Sequence, residues 1–489
     1  MEYKELFDFE SSRLLELFKL LKSADNNMSL KKLSSELGIN PKTILRYMKK
    51  LQKLFEDYQL DDRIMICSRP SNQFYLKRTN DLYLELFLVQ YLRDLPEVIF
   101  LKKIIEEGKL ETKELADDLL ISESSLRRRL KRINEYLKKF DICLTRATYQ
   151  LDGEEEQIRE LILHFYWFVY QGTENDFLLQ EKETGQELTN KLILFFQMQI
   201  NELQKESIFR IIQIAIWRHQ RGEKMRIKTE WTQYIKNSAI FSKFIDTVGI
   251  CGNALNLEEL SYLYLMIQAR FLPYFGSSMQ AYLIEEHFIK KTTCYTSTLV
   301  TTTKLRQVFW EKKISHSKET VVAFLGFHLY YELISDFSFE RNQAVTILQD
   351  NFPGFMGKLD DCIAALSKER VNYRRIPKDA ILYRYFMILS TLISPTYNEK
   401  KIFICLMTDF SLEKERELGE RIAHFFDNRF NLAVIYARTT NSILYADVII
   451  TTVVHQALDQ KYTQPVLLIE PNFSDKIFFK IEKILKRIR

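Results

Sequence analysis

Glycine and proline are scarce in this chain, at 13 and 9 of 489 residues. That scarcity excludes a loop-rich or collagen-like architecture and predicts long helices with short connections. The six cysteines, Cys67, Cys143, Cys251, Cys294, Cys362 and Cys405, are scattered, with no Cys-x-x-Cys pair and no His at ligand spacing. A disulfide framework and a zinc site are therefore not indicated. No apolar run approaches the ~18 residues that span a bilayer, and Met1-Glu-Tyr-Lys-Glu5 lacks the features of a signal peptide, so a cytoplasmic protein with no membrane partner is expected. Glycine-rich nucleotide fingerprints, phosphate loops, nucleophile elbows and HExxH are all missing, and the seven His are dispersed. No enzyme, cofactor or metal is predicted. A large charge of one sign is missing too, since the net charge is only +5. Basic character is local, and a local patch says more than a basic average.

Two of those basic patches are copies of one pattern. Ile39-Asn-Pro-Lys-Thr-Ile-Leu-Arg-Tyr-Met-Lys-Lys-Leu51 and Ile121-Ser-Glu-Ser-Ser-Leu-Arg-Arg-Arg-Leu-Lys-Arg-Ile133 follow one pattern, with apolar residues at four equivalent positions and cations at three. In each copy an aliphatic residue expected to be buried (Ile39, Ile121) precedes a polar turn residue (Asn40, Ser122). Apolar residues then return at helical spacing: Ile44, Met48 and Leu51, or Leu126, Leu130 and Ile133. The remaining positions are expected to face outward. A short helix precedes each copy, Leu30–Leu37 ending at Gly38 and Thr112–Leu120 ending before Ile121, which is the helix-turn-helix layout. β-prone pairs follow each copy, Arg63–Cys67 with Gln73–Lys77 and Ile142–Arg146 with Thr148–Leu151, and read as the hairpin of a winged helix. A solvated basic face is the usual meaning of a charge run, but duplication with the same neighbours argues for DNA recognition.

The expected DNA-facing set is Asn40, Lys42, Thr43, Arg46, Tyr47, Lys49 and Lys50 in the first copy. In the second it is Ser122, Ser124, Ser125, Arg127, Arg128, Arg129, Lys131 and Arg132. Ser124 and Ser125 are short enough to allow close approach of the helix end to the duplex. The cations are mostly phosphate contacts, so affinity is expected to exceed base specificity, with shape readout supplying the remainder.

At 489 residues the chain is expected to hold about three to five domains. After the second wing, Asp152 or Gly153 is expected to cap a helix with an acidic first turn and a core stripe of Ile158, Leu161, Ile162 and Phe165. Two all-helical blocks follow, separated near Pro273 and Gly276-Ser-Ser278, each with an internal helix, 208–218 and 321–334. The last ninety or so residues alternate apolar runs at 401–407, 432–436, 447–451 and 465–470 with helical patterns at 411–427 and 474–488. Continuous apolar strands alternating with helices imply a parallel sheet covered on both faces. The fold class is thus multidomain and mainly α, with a small C-terminal α/β domain.

In this order, two winged helix-turn-helix units, the Leu151-Asp-Gly-Glu-x3-Ile-Arg159 segment, two helical blocks and an α/β end resemble the Mga/AtxA family of Gram-positive global virulence regulators. The resemblance covers the whole chain and implies five domains: winged units at 1–80 and 81–170, phosphotransferase-regulation-like helical domains at 171–286 and 287–397, and an enzyme IIB-like domain at 398–489. It implies a transcription regulator, expected to activate, that ties virulence or carbohydrate-linked genes to the sugar phosphotransferase system. Double-stranded promoter DNA, a homodimer or higher oligomer, the phosphocarrier protein HPr and RNA polymerase are the implied partners.

The resemblance makes His328 the first phospho-acceptor candidate; the first helical domain departs from the pattern, with the corresponding position near Ile211 and His219 the nearby His, and His287 and His316 are weaker candidates. The usual second His of each helical domain is replaced, by Tyr264-Leu-Met-Ile-Gln268 and Tyr383-Arg-Tyr-Phe-Met387. Cys405 is expected at the end of the first strand, where enzyme IIB proteins carry a phosphocysteine. Its loop through Ser411 has no Gly and contains Asp409, so the position reads as degenerate. Two other classes remain open on the residues alone: a regulator acting by protein or RNA binding, like antiterminators, and a phosphocarrier that would turn over phosphate at Cys405 or His328.

Overall fold

The computed structural model describes residues 5–23, 27–70, 72–108, 110–118, 121–146, 148–171, 182–248, 255–311, 314, 317–338, 344–369, 376–438, 443–453, 463–470 and 476–488. They divide into two compact units, Met1–Lys290 with Leu329–Phe337, and Lys291–His328 with Ser338–Arg489.

The first unit opens with α1 (Phe9–Ser23), the two-residue β1 (Met28–Ser29), α2 (Leu30–Leu37) and α3 (Pro41–Asp57), then β2 (Ile64–Arg69) and β3 (Gln73–Arg78). The strands form one antiparallel sheet in the order β1-β3-β2, with Ile64 opposite Arg78 and Arg69 opposite Gln73. Helix α2 is capped at its start by Ser29 and ends at Gly38, whose φ of 63° is the left-handed turn that glycine adopts most readily. Proline at the first position and an Asn40 cap start α3 at once. Ile44, Met48, Leu51 and Phe55 of α3 then bury one face, with Phe18, Phe55 and Phe87 meeting ring to ring.

The second winged domain repeats the plan through α4 (Asp81–Arg93), α5 (Pro96–Glu107), α6 (Thr112–Asp118) and α7 (Glu123–Leu137). Leu126, Leu130, Ile133 and Leu137 form its buried stripe. Its wing is shorter than the sequence suggests. Among the described residues, strands β4 (Cys143–Leu144) and β5 (Leu151–Asp152) make two residue pairs, Cys143 with Asp152 and Leu144 with Leu151. Side-chain bonds among Thr145, Thr148 and Gln150 take over the turn.

The linking helix α8 (Glu155–Tyr170) departs from expectation in two ways. Its cap is Glu154, with no side-chain bond, while Gly153 is held to a small residue by close packing, since a Cβ there would stand 3.0 Å from the Asp141 carbonyl. Its polar residues are also buried, so it is a core helix rather than an amphipathic one. Arg159 pairs with Glu259 and with Glu155 at 2.7 Å, and Arg218 grips Glu155 at 2.6 Å. Glu160 bonds Arg270 and accepts from the Tyr330 hydroxyl at 2.8 Å. Burial alone would raise the Glu160 carboxyl, but Arg270, His164 and Tyr330 hold it down to about 2. Helices α9 (Lys182–Phe195), α10 (Glu202–Gln220), α11 (Thr232–Ile235), α12 (Ala239–Val248), α13 (Leu257–Phe271) and α14 (Ser277–Lys290) complete this unit. They are joined by Leu329–Phe337, whose Ser335 amide donates to Gln157 at 3.0 Å.

The second unit holds α15 (Thr293–Phe309), the first part of α16 (Lys318–Leu333), α17 (Val345–Asn351), α18 (Pro353–Glu369) and α19 (Lys378–Ser390). It ends in β6 (Ile402–Met407), α20 (Leu412–Phe426), β7 (Leu432–Tyr436), β8 (Val448–Thr451), β9 (Val466–Leu468) and α21 (Lys476–Ile488). The sheet is wholly parallel, in the order β7-β6-β8-β9. Ile402, Ile404 and Leu406 face the larger core with Leu418, Ile422 and Leu485, while Cys405 faces a small cluster with Ile443, Ala446 and Ile449. No described helix is long and apolar enough to cross a membrane.

Candidate nucleic-acid interface

The two recognition helices, α3 and α7, share a core logic and differ at the surface. Lys42, Arg46, Lys49 and Lys50 are exposed on α3, as are Ser124, Arg127, Arg128 and Lys131 on α7, while Thr43 and Ser125 are half-buried. Leu45, 38% exposed, lies among the α3 cations and presents an apolar contact of the kind that meets a thymine methyl.

Several expected contacts are engaged in the protein itself. Tyr47 is only 3% exposed and packs with the α3 core, because its position falls on the buried stripe. Asn40 accepts the Lys42 amide at 2.8 Å and Ser122 accepts the Ser125 amide at 3.3 Å, so both side chains cap their own helices. Ile39 and Ile121, expected to be buried, are half-exposed. Arg129 and Arg132 do not face freely outward. Both bond the same oxygen of Glu97, a fully buried carboxylate of α5, with Arg132 at 3.4 Å, and Arg129 also lies 3.5 Å from Asp8. Burial pushes the Glu97 carboxyl upward against the pull of Arg129. Exposed cations have lighter partners: Lys50 meets Glu10 at 2.6 Å and Arg127 meets Glu123 at 3.1 Å.

Asp8, Phe9 and Glu10 join Ile39, Asn40, Thr43, Arg46 and Tyr47 of α3 and Arg128, Arg129 and Arg132 of α7 around one cleft of about 640 Å³. Both recognition helices thus border a single basic concavity. Sequence reasoning missed the acidic side of this arrangement, since neither Asp8 nor Glu97 lies in a motif and only folding brings them to the Arg residues. It anticipated the first hairpin but left the basic residues of that hairpin out of the expected DNA-facing set. Arg69 stacks on Tyr75 at 5.1 Å, and Lys77 is exposed. The cations at the ends of the hairpin strands, Arg63, Arg69, Lys77 and Arg78, were the available signal.

The expected phosphorylation residues are all partnered. His328 is 4% exposed, with Nδ1 2.8 Å from the Thr298 hydroxyl and Nε2 2.8 Å from the Tyr385 hydroxyl. Tyr385 belongs to the stretch standing where the resemblance places a second His. His219 lies 3.3 Å from Glu259 at 17% exposure, and His287 is buried against Tyr234, with burial and Lys290 lowering its pKa to about 4. His316 and Cys251 lie outside the described residues. Cys405 is in the middle of β6 rather than at its end, fully buried between Ile435 and Ile449, and burial, then Glu415, push its thiol up to about 11. That is the reverse of the low-pKa thiolate a phosphocysteine needs.

A model of the Mga helix-turn-helix domain matches residues 80–166, and a model of an HTH domain matches residues 13–64. The chain is 24% identical over 362 residues to the capsule synthesis positive regulator AcpB of Bacillus anthracis, covering 69% of this chain and 72% of that protein. It is also 24% identical over 262 residues to the capsule synthesis positive regulator AcpA of the same organism, covering 53% of each.

Proposed function

We infer that this chain, a relative of the Mga/AtxA family of regulators, works as a double-stranded DNA-binding transcription regulator that brings two recognition helices to one duplex. The observation that carries the reading is the pair of helices α3 and α7, each with a buried apolar stripe and exposed cations, bordering one basic cleft. Lys42, Arg46, Lys49 and Lys50 with the wing residues Arg69 and Lys77 take the first half of the footprint, and Arg127, Arg128 and Lys131 the second. The relatives are named positive regulators, which supports activation here. Promoter DNA and RNA polymerase are then its partners in the cytoplasm, without catalysis, and a homodimer or higher oligomer matches paired readers to paired half-sites.

Fluorescence anisotropy on a duplex of about forty base pairs across a salt series tests this reading. Tight binding with a steep salt slope, flattened in Arg127→Ala/Arg128→Ala, is the expected result. Absence of binding at moderate salt would turn the basic helices into solvated faces.

A phosphocarrier reading finds little support in the thiol and imidazole positions. Phosphorylation at His328 would first break its bond to Thr298 or Tyr385, since both ring nitrogens are engaged, whereas at His219 it is Nδ1 that contacts Glu259. Control by HPr therefore favours His219, the most exposed of the three. Mapping phosphohistidine after incubation with HPr and its phosphoryl donor checks this, and label confined to His328 would reverse the order.

A further inference from the structure

Four guanidiniums from two helices, Arg46 of α3 and Arg128, Arg129 and Arg132 of α7, line the cleft between the recognition helices, and the carboxylates of Asp8 and Glu10 line it with them. The balance is incomplete. Glu97 serves Arg129 and Arg132 together, while Glu10 turns to Lys50. Neither Arg46 nor Arg128 makes an ion pair among the described residues, and the buried Nε of Arg129 has no hydrogen-bond partner among them. Burial works against the charge on Asp8, yet the Ser11 amide and hydroxyl, then Arg129 and Arg132, hold its carboxyl below the usual range, so it stays an anion in place. A forked, cation-rich cleft of about 640 Å³ suits a tetrahedral dianion or a phosphodiester far better than an apolar ligand.

We propose that this cleft is a phosphate site, in which Arg46, Arg128, Arg129 and Arg132 receive a phosphate group and Asp8 and Glu10 are the resident carboxylates it displaces. The inference rests on the DNA reading for its first source of phosphate: a duplex held by both recognition helices carries its backbone across the ground between them. A free organic phosphate offers the same chemistry. The acidic start of the chain is then a gate on the reading surface, lowering affinity for any duplex by occupying phosphate positions.

The test is Asp8→Asn/Glu10→Gln in the full chain, a pair that keeps side-chain shape and leaves Asn able to accept the Ser11 amide as Asp8 does at 2.8 Å. Against a random-sequence duplex at low salt the variant should bind roughly threefold to tenfold more tightly, with the gain fading as salt rises. Arg128→Gln/Arg132→Gln should bind more weakly and with a shallower salt slope. A second arm titrates tripolyphosphate into both proteins without DNA. Tightening in the duplex arm assigns the site to the backbone. Tightening confined to the tripolyphosphate arm assigns it to a free phosphate. No tightening in either arm, at an unchanged thermal midpoint, overturns the proposal and makes the carboxylates simple braces. Wild-type protein that ignores every duplex defeats the DNA reading alone, because the tripolyphosphate arm still decides the site.

Discussion

The two winged domains share one recognition-helix pattern and are unequal in structure. The first has a wing of six residue pairs and five exposed α3 cations, Lys53 included, of which among the described residues Lys50 alone has a carboxylate partner, Glu10, itself exposed. The second has a stub of two pairs and a recognition helix whose five cations divide into three exposed and two gripped by buried Glu97. Duplicated patterns thus fix the core stripe twice, while each copy's surroundings decide which cations remain available. The second copy is denser in charge along the chain but not at its surface.

Affinity offers the largest contrast. Lys42→Ala/Arg46→Ala and Arg127→Ala/Arg128→Ala should each weaken duplex binding by about 2–4 kcal/mol and make the salt slope shallower by about 2. If only one pair weakened binding, a single domain would be doing the reading and the comparison would collapse. Stability comes next. Glu97→Ala leaves Arg129 and Arg132 without their common anchor and should lower stability by about 1–3 kcal/mol in thermal unfolding. Glu10→Ala removes a surface pair and should cost less than about 0.5 kcal/mol. Equal losses would mean that the second domain is no more tightly anchored than the first. Gly38→Ala ranks third. Its φ of 63° is left-handed, and though the space around it is open, a Cβ there should cost about 1–2 kcal/mol by strain alone. An unchanged midpoint would show that the α2–α3 turn relaxes freely.

Much of this was legible in the chain. The repeat at Ile39 and Ile121 gave both recognition helices, and the apolar runs gave the four parallel strands nearly to the residue. What escaped was tertiary. Tyr47 reads as a polar aromatic on a basic helix, and only the helical phase puts it inside. Arg129 and Arg132 are indistinguishable from Arg128 in sequence, since Glu97 lies a helix away and is brought to them by packing. The acidic turn at Glu154–Glu156 carries no hint of its partners in the sequence, because Arg218 and Lys228, which pair with Glu155 and Glu156, come from distant parts of the chain. Cys405 was expected at a strand end, but apolar residues continue past it and keep it in the interior of β6.

The helix caps provide the finest comparison. Asn40 and Ser122 stand at equivalent positions, and either could touch DNA or hold its own helix end. Asn40 reaches the Lys42 amide at 2.8 Å, whereas Ser122 reaches the Ser125 amide at 3.3 Å and shares its hydroxyl with Ser124 at 3.0 Å. The shorter bond and the proline that follows make the first cap the stronger. Asn40→Ala should therefore cost about 1 kcal/mol of stability and Ser122→Ala about 0.5, while replacement of either by Gly should cost a few tenths. Duplex affinity separates the two roles. A cap acts through helix order, so the Gly variants should keep nearly full affinity. If Asn40→Gly instead loses tenfold with its thermal midpoint intact, the side chain is contacting the duplex, and the first helix reads with its cap as the second does not.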